Sequence, residues 1–127
     1  MKILSVSDIE IGLIYSPGII DRFKDVDLVI SCGDLSYYYL EYIISVLNVP
    51  LYHVFGNHAH QVEISSESSR EYPWGAIDLH HRSQCYRGLL MAGLQGSVLY
   101  NYGPYQYSQA EMWNLVLTLT PALFYNR

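Results

Sequence analysis

The sequence predicts an α/β domain with a mainly parallel sheet and crossover helices. Three observations carry that expectation: short apolar runs that each end in a polar residue, a helical apolar stripe between two of them, and a strand–helix alternation along the chain. The chain has 127 residues, half of them hydrophobic and 15% charged, which suits a single domain over residues 1–127 with one core.

Lys2 to Val6 is a short apolar run that stops at Ser7-Asp8, and it is read as a buried first strand. A turn-rich stretch with Gly12, Pro17 and Gly18 leads to a short helix from Ile19 to Lys24. Val26 to Ser31 is a second strand, its apolar residues nearly continuous, as in parallel strands covered on both faces. Gly33-Asp34 ends it. Ser36 to Leu47 reads as a helix, because Leu40, Ile43, Ile44 and Leu47 recur at i, i+3, i+4 and i+7. Asn48 and Pro50 stop the helix. Leu51 to Phe55 is a third strand ending at Gly56-Asn57, and right-handed crossovers should join the three.

Gln61 to Arg82 is polar and serine-rich, and is expected to be a long loop. Gly88 to Leu94 is a further strand, and Gly96 to Tyr107 a connector rich in Gly, Tyr and Asn. Ser108-Gln109-Ala110-Glu111 has capping-box spacing, with Leu115, Leu119, Ala122 and Leu123 at helical intervals behind it. Pro121 predicts a break, limiting that helix to about Gln109–Thr120. The face carrying Trp113, Leu117, Thr120 and Phe124 is expected to seek a core partner.

Net charge is −5 with seven Lys and Arg in all, so no basic stripe exists to neutralise a phosphate backbone, and nucleic acid is a poor candidate for the main partner. Cys32 and Cys85 lack C-x-x-C spacing and are expected to be reduced, buried thiols. A carboxylate at Asp8 interrupts the start before a signal core could form, and no apolar run approaches the roughly 20 residues that span a bilayer. A cytoplasmic protein without membrane association is expected. The 13 tyrosines call for a partly wet setting such as a cleft rim or an interface.

Three predicted strands end in residues suited to metal chemistry: Asp8, Asp34 and Asn57-His58. The carboxyl ends of parallel strands line the ligand crevice of an open sheet. Neighbouring strands lie about 4.8 Å apart, close to the roughly 3.5–4 Å between the ions of two-metal hydrolases.

Ser7-Asp8-Ile9-Glu10, Gly33-Asp34-Leu35-Ser36 and Gly56-Asn57-His58-Ala59 resemble, in order, the D-x-H, G-D-x-x and G-N-H-[DE] motifs of calcineurin-like metallophosphoesterases. Ala92 to Ser97 and Gly103 to Tyr107 look like a bacterial branch of that family. The resemblance implies a partial calcineurin-like sandwich that hydrolyses a phosphomonoester or phosphodiester through two divalent ions. Mn²⁺ is the expected metal, with Fe, Zn or Mg as alternatives. Asp8 would bind the first ion, Asp34 would bridge both, and Asn57 would bind the second through its amide oxygen. His58 would assist the leaving group or stabilise phosphoryl oxygens.

The chain also departs from the family pattern. Glu10 stands at a histidine ligand position, where it is either a hard oxygen ligand or a solvent-facing side chain. Ala59 replaces the acidic residue that orients the motif histidine. The later His and G-H-x-H motifs do not occur before Arg127, as though the domain were truncated. The alternative is therefore a non-catalytic remnant that binds metal or a phosphate ligand and acts as an interaction protein. A homodimer through an open sheet edge or the final helix belongs to that alternative. His53 is expected to be a structural or surface residue, and His60, His80 and His81 solvated loop residues.

Overall fold

The computed structural model describes residues 1–58, 63–64, 69–70 and 72–126. The elements run β1 (Ile3–Val6), α1 (Ile19–Phe23), β2 (Leu28–Ser31), α2 (Tyr37–Leu47) and β3 (Leu51–His53). They continue with β4 (Glu63–Ile64), β5 (Ser69–Arg70), β6 (Ile77–Asp78), β7 (Arg82–Tyr86), β8 (Leu89–Gly93), β9 (Ser97–Val98), β10 (Gln106–Tyr107) and α3 (Gln109–Tyr125). The main sheet has the order β1-β2-β3-β6, and all its pairs are parallel. A mixed α/β architecture with a parallel sheet is what the strand–helix alternation predicts.

Side-chain alternation on β2 and β3 divides the apolar residues between two faces. Val29 and Leu51 point toward α1 and α2, where they pack with Val6, Ile14, Ile19, Tyr39, Leu40 and Ile43. Leu28 and Tyr52 point the other way and pack with Leu79 and Met91. Met91 belongs to the antiparallel hairpin β7–β8, which forms the third layer. Ser36 caps α2 by accepting the Tyr39 N–H at 3.3 Å, and Asn48 ends the helix in a left-handed conformation.

Several expectations need correction. The stretch Gln61–Arg82 is not one loop: Ile77-Asp78 adds a fourth parallel strand beside β3, and Arg82 opens β7. A two-residue strand has no readable periodicity, so it forms only through its register with Tyr52 and His53. Short two-residue pairings also occur within the connector, β9 with β10.

The final helix passes through Pro121 to Tyr125. Proline removes only the N–H that would reach the carbonyl of Leu117, a residue on the exposed side of the helix. The far end is held by Ser83 Oγ, which donates to the Ala122 carbonyl at 3.1 Å, and by Asn126 Nδ2, which donates to Ser83 Oγ at 2.7 Å. The capping box Ser108/Glu111 is present as read.

Cys32 and Cys85 are free but exposed, not buried. Cys32 lies just past the end of β2, and Cys85 sits in a two-stranded hairpin with an open face. Trp113, Leu117 and Phe124 are likewise exposed, at 58%, 66% and 75%, so that face of α3 has not found a core partner. Among the described residues, no helix is long and apolar enough to cross a membrane.

Candidate functional site

The register levels the ends of three adjacent strands, with Val6 opposite Ser31 and Ser31 opposite His53. The turns that follow carry the candidate residues to one edge of the sheet. Asp8 and Asp34 both adopt left-handed backbone, with φ of 60° and 58°. Aspartate tolerates that region better than most residues, and such positions cluster at functional sites. The Asp8 N–H donates to the Gly33 carbonyl at 3.2 Å, tying the first turn to the second.

The second and third turns touch through two glycines. A Cβ on Gly33 would lie 2.5 Å from Gly56 N, so side chains are excluded there by backbone approach as well as by a φ of +104°. A Cβ on Gly56 would lie 2.5 Å from Asp34 Oδ2 and closer still to Oδ1 and Cγ. The Asp34 carboxylate therefore rests directly over Gly56. His58 N–H donates to Asp34 Oδ1 at 2.8 Å, a charge-assisted bond that joins the two motifs. Asn57 Nδ2 donates to the Tyr100 hydroxyl at 2.8 Å, which turns its amide oxygen away from that partner.

Glu10 is held from the helix side. Its Oε1 accepts from the Ser36 hydroxyl, and the next turn is anchored by the Ile11 N–H donating to the Tyr39 hydroxyl at 3.2 Å. Burial raises the Tyr39 phenol above its ordinary pKa, with the Glu10 charge adding to the effect against the Ile11 bond, so the hydroxyl stays protonated. Asp8, Glu10 and His58 are exposed, whereas Asp34 and Asn57 are half-buried. No ion pair is formed by Asp8, Glu10 or Asp34 among the described residues.

Backbone contacts thus bring Asp8, Asp34, Asn57 and His58 to one edge, with Glu10 beside them on the Ser36 hydroxyl. The donor chemistry fits hard divalent ions: two carboxylates with uncommitted oxygens, and an amide whose NH₂ is already engaged. Among the described residues, no group of three or more His, Cys, Asp or Glu side chains is placed to hold a metal ion. Asn57, an amide donor, stands outside that count.

The other histidines have structural surroundings. His53 is buried at 3% exposure, a correction to any surface placement. His80 is half-buried, accepts the Gln95 N–H on Nδ1 at 3.2 Å, and has its pKa lowered chiefly by burial. His81 Nε2 lies 2.7 Å from Thr118 Oγ1. His81 is exposed, as expected of a loop histidine, whereas His80 is not the freely solvated residue expected. His60 and Ala59 lie outside the described residues.

Sequence reasoning missed Tyr100, which sits 43 positions from the asparagine it orients and belongs to no motif. It also missed the hydroxyl of Ser36 as the partner of Glu10, although the G-D-x-x spacing had placed that serine at the site. Comparison with family models, with curated protein sequences and with solved structures finds no match to this chain.

Proposed function

We propose that this chain is a metal-dependent phosphoesterase of the calcineurin-like kind, acting on a phosphomonoester or phosphodiester. One observation carries the proposal: Asp34, lying on Gly56 and accepting the His58 N–H, joins two candidate motifs that are 24 residues apart in sequence. Asp8, Asp34 and the Asn57 amide oxygen would hold two divalent ions, Mn²⁺ being the best match to an all-oxygen donor set. Ions bound there would supply charge neutralisation and an activated water for in-line attack. The backbone contacts Asp8–Gly33 and His58–Asp34 fix the donors before substrate arrives, which limits reorganisation at the reacting centre. His58, exposed at the rim, would reach the leaving-group oxygen as an acid or a hydrogen-bond donor.

The test is hydrolysis of p-nitrophenyl phosphate and bis(p-nitrophenyl) phosphate with Mn²⁺, and again after chelation. Metal-dependent turnover that disappears in Asp34→Asn supports the proposal. Absence of turnover with a folded, Mn²⁺-loaded chain would reject it.

A second reading has its own observation. The exposed apolar stripe Trp113, Leu117 and Phe124 lies on a helix whose one acidic residue is Glu111. A face of that kind suits an interaction protein, including a homodimer built on α3. A strictly monomeric mass by light scattering at high concentration would count against self-association.

A further inference from the structure

Ser31, His53 and Asp78 are Cα partners across three adjacent parallel strands, Ser31 opposite His53 and His53 opposite Asp78. Cα partners in register share a face of the sheet. That face is the α2 side, because the residues alternating with them (Leu28, Tyr52 and Leu79) belong to the opposite core cluster. Ser31 and His53 therefore stand side by side beneath the helix, with Asp78 next in the row on the edge strand, its side chain 39% exposed.

Such a row has the composition of a nucleophilic triad, but burial excludes that role. Ser31 is 1% exposed and His53 3% exposed. Both line a cavity of about 10 Å³, together with Asp34, Tyr37 and Leu40, and both also border a pocket of about 290 Å³ with Leu79, Ala92 and Gly93. The smaller space holds about one water and no ester. Neither the Ser31 hydroxyl nor the His53 ring has a hydrogen-bond partner among the described residues; the ring's closest aromatic neighbour is Phe55, edge-on at 5.0 Å. Buried polar groups in folded proteins are nearly always hydrogen-bonded, to protein or to ordered water. Two orphaned polar groups bordering the smaller space make it the candidate site for that water. Strand spacing of about 4.8 Å leaves a gap between the two side chains that one water spans.

We infer that the cavity binds one ordered water between Ser31 Oγ and the His53 ring, and that the row Asp78–His53–Ser31 with this water positions the Asp34 turn. The turn begins two residues after Ser31, and Asp34 lines the same cavity. Burial lowers the His53 pKa against the opposing pull of the Asp78 charge, so the ring is neutral and offers one donor and one acceptor. The Asp78 carboxylate accepts the His80 N–H at 2.8 Å and lies 4.0 Å from Arg82 Nη1, so it acts on the ring through its charge and leaves the ring nitrogens for the water. Ser31, His53 and Asp78 are positioning residues that touch no substrate. Their effect on ion binding rests on the phosphoesterase proposal, whereas the water and the tautomer do not.

The experiment uses the full chain labelled with ¹⁵N on histidine. In the wild type, the two His53 ring nitrogens should show the well-separated resonances of a single fixed tautomer. Ser31→Ala should shift them, and should weaken Mn²⁺ binding measured by calorimetry about tenfold while the amide spectrum stays folded. His53→Gln, which keeps a donor and an acceptor, should retain more Mn²⁺ affinity than His53→Phe. Should His53→Phe fail to fold, the Ser31→Ala comparison alone decides. His53 resonances that are averaged in the wild type, or unmoved by Ser31→Ala, would overturn the inference. Failure of the wild type to bind Mn²⁺ would instead remove the phosphoesterase proposal, and the ring resonances would still judge the row.

Discussion

Substituting Gly56 by alanine should separate function from stability. The new Cβ would fall 2.5 Å from Asp34 Oδ2 and nearer still to Oδ1 and Cγ. Ordinary contact between heavy atoms is about 3.5 Å, so the carboxylate must retreat by about 1 Å or rotate away. The obstructing group is the end of a short side chain at a half-buried position, so it can give way without unfolding the turn. Loss of the His58 N–H bond and the local strain should together cost about 1–2 kcal/mol. The same 1 Å displacement should reduce metal-dependent turnover about 100-fold, because reacting geometry is far less forgiving than packing. Urea denaturation and p-nitrophenyl ester hydrolysis measure the two quantities on one preparation. Gly12→Ala is the control, since nothing lies within 4 Å of its added Cβ. Turnover and Mn²⁺ affinity unchanged in a folded Gly56→Ala protein would refute the reasoning.

Gly33→Ala should behave oppositely, losing about 3 kcal/mol in urea denaturation, because its Cβ meets the Gly56 backbone and its φ is +104°. Ser36→Ala should cost about 1 kcal/mol through the lost α2 cap, and should free Glu10, read as a changed Glu10 carboxyl resonance. Asp27 is held below the ordinary carboxylate range, first by the Lys2 N–H and also by Arg87. A depressed folded pKa contributes stability above the unfolded value and loses it as pH falls through the folded one. Denaturation midpoints of Asp27→Asn should therefore fall short of those of the wild type at neutral pH and begin to approach them as pH drops below about 4, meeting them only below the depressed folded pKa.

The legible parts of the fold are those in which local pattern and tertiary role coincide. Leu40, Ile43, Ile44 and Leu47 predict α2, and Ser36 does cap it. Ser108 and Glu111 predict the start of α3 for the same reason. Pro121 misleads because its cost depends on whether the deprived carbonyl is buried, and Leu117 is not. Strand β6 is invisible because two residues carry no period, and its formation depends on β3 already being in place. At the site, the residues following Gly33 and Gly56 are legible because glycine beside a strand end marks a turn. Their partners are not: Tyr100 reaches Asn57 across 43 positions, and the Ser31–His53–Asp78 row exists only in strand register. Cys32 shows the same limit, since a thiol past a strand end can face either core or solvent.

The charge arrangement at the sheet edge leads to the last expectation. Asp8, Glu10 and Asp34 gather there without an ion pair among the described residues, in a chain of net charge −5. Uncompensated like charges destabilise the folded state, and among the described residues the Ser36 hydroxyl and the His58 N–H offset them at Glu10 and Asp34. An ion that binds the folded chain alone, present at about 100 times its dissociation constant, would add about 2.7 kcal/mol. For a domain of this size that corresponds to a rise of roughly 10 °C in melting temperature. Mn²⁺ should produce this rise and a chelator should reverse it. Asp34→Asn should melt slightly higher than the wild type without metal, because one repelling charge is gone, yet should lose most of the Mn²⁺ response. A variant that is less stable without metal and responds fully to it would mean that Asp34 serves the fold and not the ion.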